Sequence, residues 1–445
     1  MESEIVPPNT AMPALDGSGL LRAFAQAADA SFRWRIVQRG QLLGRAFIEA
    51  EFVSQRWRGH EWNHRLWLFE PPPGARPTDQ GFLFVSGEDT PEQHDAWRAR
   101  GELPGQALLF SALAREVEGP VALLLGVPNE PAEGPRGDAY LATTLAEALA
   151  SGDPTEAALL PMVKAVVRAL DVLQELSQAD GVRSTRFLLA GASKRAWTSW
   201  LAAAIEPRVN ALVPAALEVP NMVAQLAHQR EVWGAIADGL HFYVERGVLA
   251  GLEASPALRA VLDPHEHRAA LGMPKFTLLA ANDALYPVDA LPLHWHALPG
   301  EKDVLYLMNQ DHELAEHACL PGSLHAFHAR VAHDTPLPRL SWSWHASRQR
   351  VELELETEAP LALRQWSARS GTRDFRRSTW YARPLGKAER THVPLEAPGS
   401  GFTAHLVEVL HAGPGSPLHR TTTAAVLDAR GTLLAPHPGS GKAGA

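Results

Sequence analysis

Three apolar runs in the first third of the chain, LWLFEP from Leu66, GFLFVSG from Gly81 and VALLLGVP from Val121, are hydrophobic at nearly every position. Strands with that pattern are buried on both faces, as in a parallel sheet covered by helices. Four later runs, Phe187 to Ala190, Val209 to Pro214, Phe276 to Ala280 and Val304 to Met308, each lead into turn or helix signals. Between the two groups, Leu159, Val163, Val166, Leu170 and Leu173 recur at helical spacing within 155–178, which predicts a long amphipathic helix. Alternation of strand and helix predicts an α/β doubly wound fold.

The flanks follow other periods. A short helix is expected over 20–30 and alternating strands over 32–57. The interval 221–273 has helical pattern and no strand signal, and it carries Trp233 and Tyr243. An insertion of that length at a sheet connection predicts a cap over a binding site. From Pro336 the signals become SWSW, VELELETE, FTAHLVEVL and TAAVLDARGTLL, strands and a hairpin without helices. The expected organisation is a flexible extension over 1–19, an α/β-hydrolase-like domain with a mostly parallel sheet over 20–335, a β-sandwich over 336–435 and a disordered tail over 436–445.

The composition fits this division: 445 residues exceed the size of one hydrophobic core, and 46% hydrophobic residues with 13 tryptophans supply the interior. A net charge of −9 argues against a nucleic-acid or anionic-membrane binder and for a small-molecule or peptide substrate. No run reaches the roughly 18 apolar residues of a membrane span. The first 19 residues lack a signal-peptide pattern, so the expectation on this chain alone is a soluble, cytoplasmic protein. The single cysteine, Cys319, forms no internal disulfide and reads as a core residue. Oligomeric state is left open.

The candidate chemistry lies in FLLAGASKRAWTSW, from Phe187. A serine hydroxyl needs a base, an acid that holds the base, and backbone donors for the oxyanion. In α/β hydrolases the serine sits on a tight strand-to-helix turn, with acid and histidine later in that order. Here Gly191 precedes Ser193 by two residues, and Arg195 stands where a second glycine is usual. Taken alone, Ser193 reads as a helix N-cap sooner than as a nucleophile. Asp283 ends the strand of KFTLLAANDALYP, and His312 follows the next strand in DVLYLMNQDHEL, which supplies both partners. Asp89 and Asp311 are the rival carboxylates. The backbone of Lys194 and that of Gly87 or Glu88 are the oxyanion candidates, Gly87 for its close backbone approach. Arg195, Trp233 and Tyr286 are candidates to line the substrate pocket, with the charges of Lys194 and Arg195 alternatively paired to Glu88, Asp89 or Glu218.

Other motifs carry less. The histidines of HELAEH are five apart and so lie about 140° apart around a helix, which is wrong for one metal. HEHR from 265 and HWH from 294 imply no third ligand and read as packing or solvated histidines. Neither metal nor cofactor is expected. Arg369, Arg373, Arg376 and Arg377 alternate with aromatic residues, a pattern that suits a strand face packed on the hydrolase domain better than a nucleic-acid surface.

GASKRAWTSWLAAA, RVNALVP, GVPNEP, PMVKAVVRALD and LAANDALYPVDA together resemble the PhoPQ-activated pathogenicity-related family. The resemblance runs from about Trp62 to Leu314 and continues in WSARSGTRDFRRSTW. It implies an α/β-hydrolase-like fold with nucleophile Ser193, acid Asp283 and base His312, and makes Lys194-Arg195 a family trait. Ala196 replaces the family's glycine, and Met308-Asn309 replaces its Pro-Asn. Members are often exported and their natural substrates are poorly defined. The expected function is a serine hydrolase cleaving an ester or amide through an acyl-enzyme. The alternatives are a serine peptidase, or a secreted-type binding or signalling protein that keeps the fold with little catalysis.

Overall fold

The computed structural model describes residues 16–434, apart from 72, 76–77, 88–109, 112, 115–116, 118, 132, 180–183, 315–316 and 348–350, and also 441–442. A nine-stranded sheet forms its centre, in the order β1-β2-β3-β5-β4-β6-β7-β8-β9. The strands are β1 Arg33–Leu42, β2 Arg45–Trp57, β3 His60–Phe69, β4 Gln80–Val85, β5 Val121–Leu125, β6 Arg186–Ala192, β7 Val209–Ala215, β8 Lys275–Ala280 and β9 Lys302–Leu307. From β5 to β9 neighbours are parallel, whereas β1, β2 and β3 form an antiparallel ribbon joined antiparallel to β5. The run at Leu66 is thus buried on both faces without a parallel neighbour.

The near-continuous apolar strands feed two cores, one on each face. Leu83, Val85, Phe187 and Leu189 face α1 (Gly17–Gln26), α3 (Leu159–Ala179) and α4 (Lys194–Ile205). Their neighbours Phe82, Leu188 and Ala190 face the helix Leu320–His333 through Phe327 and Val331. That is the period-two alternation of a sheet covered on both sides. A further helix, α2 (Gly137–Ser151), precedes α3. Its buried face carries Leu141, Thr144, Leu145 and Ala148 at helical spacing, but alanines on the outer face, Ala146 and Ala150, leave little contrast for a sequence reading.

Chain connections place β5 on one side of β4 and β6 on the other. Such a reversal opens a crevice at the carboxyl ends of the strands. Beside it lie α5 (Met222–Trp233) and short helical segments that run to Ala270. The histidines of HEHR are part of their packing: His267 bonds Ser18 Oγ at 2.7 Å and Val261 O at 2.9 Å.

The C-terminal strands form two antiparallel sheets. In Val351–Thr357 the apolar residues of VELELET are buried and the glutamates are not, as the alternation predicts. The two sheets enclose a core with Leu353, Leu406 and Val426, and that core also takes in Leu279, Trp295 and Tyr306 from the hydrolase domain. Arg420 bonds Asp303 at 2.7 Å across this boundary. Of the expected tail, Gly441 and Lys442 pair with Trp342 and Ser341.

Candidate active site

Ser193 stands between β6 and α4 with φ 54° and ψ −128°. A side chain bearing a Cβ enters that region at a cost of about 1–3 kcal/mol. Helix packing outweighs it, since Trp197, Trp200 and Leu201 are buried and each such side chain contributes about 1.5–3 kcal/mol. Ser193 N–H donates to Ala215 O at 2.9 Å, and Ser193 O accepts from Ala196 N–H at 2.8 Å. A Cβ on Gly191 would lie 2.7 Å from Arg195 O and 2.8 Å from Ser199 Oγ, so the strand meets the helix this closely only with glycine there. The helix-cap reading does not describe this serine, because its hydroxyl makes no bond to the first turn of α4.

That hydroxyl lies 3.0 Å from His312 Nε2. On the other side of the ring, His312 Nδ1 is 3.0 and 3.1 Å from the two oxygens of Asp283. A proton on Nδ1, facing the carboxylate, leaves the Nε2 lone pair for the serine hydroxyl. Burial pulls the imidazole pKa down, but the hydrogen bond and charge of Asp283 leave it above its ordinary value. Asp283 is itself 5% exposed and accepts Leu285 N–H through Oδ1 at 2.7 Å. Of the rival carboxylates, Asp311 accepts Glu313 N–H in its own loop, and Asp89 lies outside the described residues.

Two asparagines fix the loops that carry the acid and the base. Asn282 Nδ2 donates to the carbonyls of Phe375 at 3.0 Å and Ser378 at 2.7 Å. Asn309, at φ 58°, donates to Trp380 O at 3.1 Å and accepts Trp380 N–H at 2.8 Å. The C-terminal loop 371–380 therefore buttresses both. It also reaches the cap: Arg373 pairs with Asp289 at 2.6 Å and Glu231 at 2.8 Å, and Arg376 lies 4.1 Å over the ring of Trp233. Arg373 and Arg376 thus pack against the rest of the chain, but from a loop and not from the expected strand face.

Beside Ser193 is a pocket of roughly 750 Å³, part of it open to solvent, between the sheet and the cap. Tyr286 lines it, with its ring 6.3 Å from that of His312. Trp233 and Arg195 are not among the lining residues. Trp233 is taken up by Arg376, and Arg195 Nε donates to Val127 O at 2.8 Å. The Arg195 guanidinium fills the space that a side chain on Gly87 would need, with Nη2 1.3 Å from the ideal Cβ position. Glu88, the other oxyanion candidate, lies outside the described residues. Lys194 does line the pocket. Its amine is paired with Asp138 at 3.1 Å and not with Glu218, while Tyr243 Oη donates to the other oxygen of Asp138 at 2.8 Å. Neither Asp138 nor Tyr243 was singled out as a site residue from the sequence.

Among the described residues no group of three or more histidine, cysteine or carboxylate side chains is arranged to hold a metal. His317 of HELAEH turns to Cys319 Sγ at 2.9 Å, and burial pushes the Cys319 thiol up to about 12. No described helix is long and apolar enough to cross a membrane.

A mostly parallel sheet, a serine on the strained turn after its central strand, and an acid and a histidine beyond two later strands define an α/β-hydrolase-like protein. The chain belongs to the PhoPQ-activated pathogenicity-related protein family, whose pattern it matches over residues 21–376. Autocrine proliferation repressor protein A of Dictyostelium discoideum is 28% identical in an alignment 337 residues long that covers 72% of this chain. The chain spans 66% of that protein's length, just under two thirds. Among solved structures, acetyl xylan esterase from Paenibacillus sp. R4 aligns at 13% identity and a TM-score of 0.48, over 71% of this chain and 93% of that one. An acylaminoacyl peptidase of Pyrococcus horikoshii aligns at 11% identity and a TM-score of 0.42, over 68% and 42%. At these values the likeness carries no information about this chain's chemistry.

Proposed function

We propose that this protein is a serine hydrolase that cleaves an ester or amide bond through an acyl-enzyme. The observation that carries the reading is the hydrogen-bonded line from Ser193 Oγ through His312 to Asp283, anchored at a backbone conformation that costs free energy to hold. In this scheme His312 Nε2 takes the hydroxyl proton as Ser193 Oγ attacks the substrate carbonyl carbon. Negative charge on the carbonyl oxygen is met by the Lys194 N–H at the start of α4 and by the backbone N–H of Gly87 or Glu88. His312 then hands its proton to the leaving oxygen or nitrogen, and the acyl-enzyme forms. Water, deprotonated by the same imidazole, attacks the acyl carbon and restores Ser193. Asp283 keeps the ring in the required tautomer and stabilises the imidazolium.

Labelling with a fluorophosphonate tests this, with Ser193→Ala as control. Covalent modification of the folded wild-type chain that is absent in the variant is expected, and an unlabelled wild type overturns the reading. A second reading, a signalling protein with the same fold and little turnover, draws on the name of the Dictyostelium relative. It predicts an unlabelled or labelled but non-hydrolysing chain, which a panel of short acyl esters and peptide substrates separates from an enzyme.

A further inference from the structure

The hydrolase scheme leaves the inner end of the pocket unused, although polar groups are buried there. Glu218, just beyond β7, is 2% exposed, and Gln225 on α5 is 3% exposed. Among the described residues, neither Glu218 carboxyl oxygen has a hydrogen-bond partner, and neither has Gln225 Oε1. Both residues line the pocket that holds Ser193. They also converge on one atom, His294 Nδ1, which lies 3.3 Å from Glu218 Oε2 and 3.5 Å from Gln225 Nε2.

His294 does not satisfy the carboxyl group. Burial drives its pKa down to about 3, so the ring is neutral, and its approach to Glu218 is not aligned as a hydrogen bond. The remaining neighbours bring no positive charge: Asp283, Tyr286 and Tyr306 surround Glu218 electrostatically. Burial, with the charge of Asp283 added, holds the Glu218 carboxyl well above the usual range. Among the lining side chains the acids Asp138 and Glu218 stand against a single cation, Lys194, which Asp138 already pairs. The walls around them are apolar, including Trp197, Met222, Leu226 and Leu285.

Buried acceptors without donors are costly until a donor arrives. We propose that this end of the pocket binds a primary ammonium group carried on an apolar chain, and that the substrates are amine-bearing esters or amides such as aminoacyl compounds. An ammonium supplies three N–H donors for the three oxygens of Glu218 and Gln225, and as it enters, the neutral Glu218 carboxyl gives up its proton to solvent and becomes the counter-charge. A hydroxyl supplies one donor and no charge. The hydrocarbon that carries the amine fills the apolar walls. The binding half of this proposal stands by itself, and the substrate half rests on the hydrolase reading.

Hexylammonium and 1-hexanol, equal in chain length, separate the two chemistries. Two readouts are taken on the full chain: the thermal unfolding midpoint, and protection of Ser193 from a fluorophosphonate. Hexylammonium is expected to stabilise and to protect at concentrations at least tenfold below those needed for hexanol. Glu218→Gln keeps the size and neutrality of the empty site and is expected to abolish that preference; Gln225→Met is expected to weaken it several-fold and decides the matter should the first variant not fold. Equal potency of the two compounds, or a preference that survives in Glu218→Gln, overturns the proposal. A wild type that never labels removes the hydrolase reading alone, because the thermal shift still reports on the ammonium site.

Discussion

Asp283→Asn probes the geometry at its most sensitive point. Asp283 Oδ1 accepts Leu285 N–H at 2.7 Å, and Oδ2 lies 3.0 Å from His312 Nδ1. An asparagine in this position keeps its carbonyl oxygen on Leu285, because the reverse orientation sets two donors face to face at a cost of about 1–3 kcal/mol. Its NH2 then points at His312 Nδ1. The imidazole answers by carrying its proton on Nε2, where the scheme needs a lone pair for Ser193. A wrong-tautomer change of this kind costs on the order of 10³–10⁴ in turnover, or about 4–5.5 kcal/mol of transition-state stabilisation. A second effect has the opposite environment as its cause. Asp283 is what raises the His312 pKa against burial, so the acid limb of kcat/KM moves to lower pH once the charge is gone. Hydrolysis of a short acyl 4-nitrophenyl ester, followed from about pH 5 to 9, reads both effects, since His312 is the group expected to titrate there. A variant within tenfold of wild type and with an unmoved acid limb refutes the role given to Asp283.

Two further outcomes follow from the same structure. Asn282→Ala removes the donor that holds the Phe375 and Ser378 carbonyls; an unfolding free energy lower by about 1–3 kcal/mol is expected, with kcat reduced at least tenfold and KM little changed, and an unaltered kcat shows that loop 371–380 does not position Asp283. Acid stability depends on histidines that burial keeps neutral: His64 and His405 are lowered to about 4, and His294 and His328 to about 3. Because the unfolded chain protonates these groups near pH 6.5 and the folded chain only far below, they cost the folded state nothing above pH 6.5, and stability is lost progressively toward pH 4 and below. Glu218 and Asp263, with pKa values raised by burial, oppose the trend; a urea midpoint that is flat between pH 6.5 and 4 contradicts it.

Much of the fold is legible in local pattern. Buried strands such as Phe82–Val85 and Phe187–Ala190 are apolar at every position, and VELELET alternates because one face of its sheet is wet. Chain order relative to those strands is enough to single out Ser193, Asp283 and His312 as candidates. The antiparallel ribbon of β1, β2 and β3 was not legible as such, since burial on both faces looks the same in a parallel and an antiparallel neighbourhood. The outer face of the helix Gly137–Ser151 is part alanine, Ala146 and Ala150, which blurs its periodicity, and with it Asp138 was missed.

The sequence by itself determined the order of strands and helices, the alternation of the C-terminal sheets and the residue types able to carry out acyl transfer. These depend on period and on side-chain chemistry, which are properties of neighbours in the chain. Tertiary structure alone decided which charges meet. Lys194 finds Asp138, Arg195 turns to Val127, and Trp233 stacks under Arg376 from the C-terminal module. It also decided that Glu218 has no hydrogen-bond donor among the described residues. Pairing of this kind is set by packing between segments far apart in sequence, and no local period encodes it. For that reason the loop 371–380, which reads as a piece of an appended sandwich, turns out to hold both Asn282 and Asn309 beside the candidate acid and base.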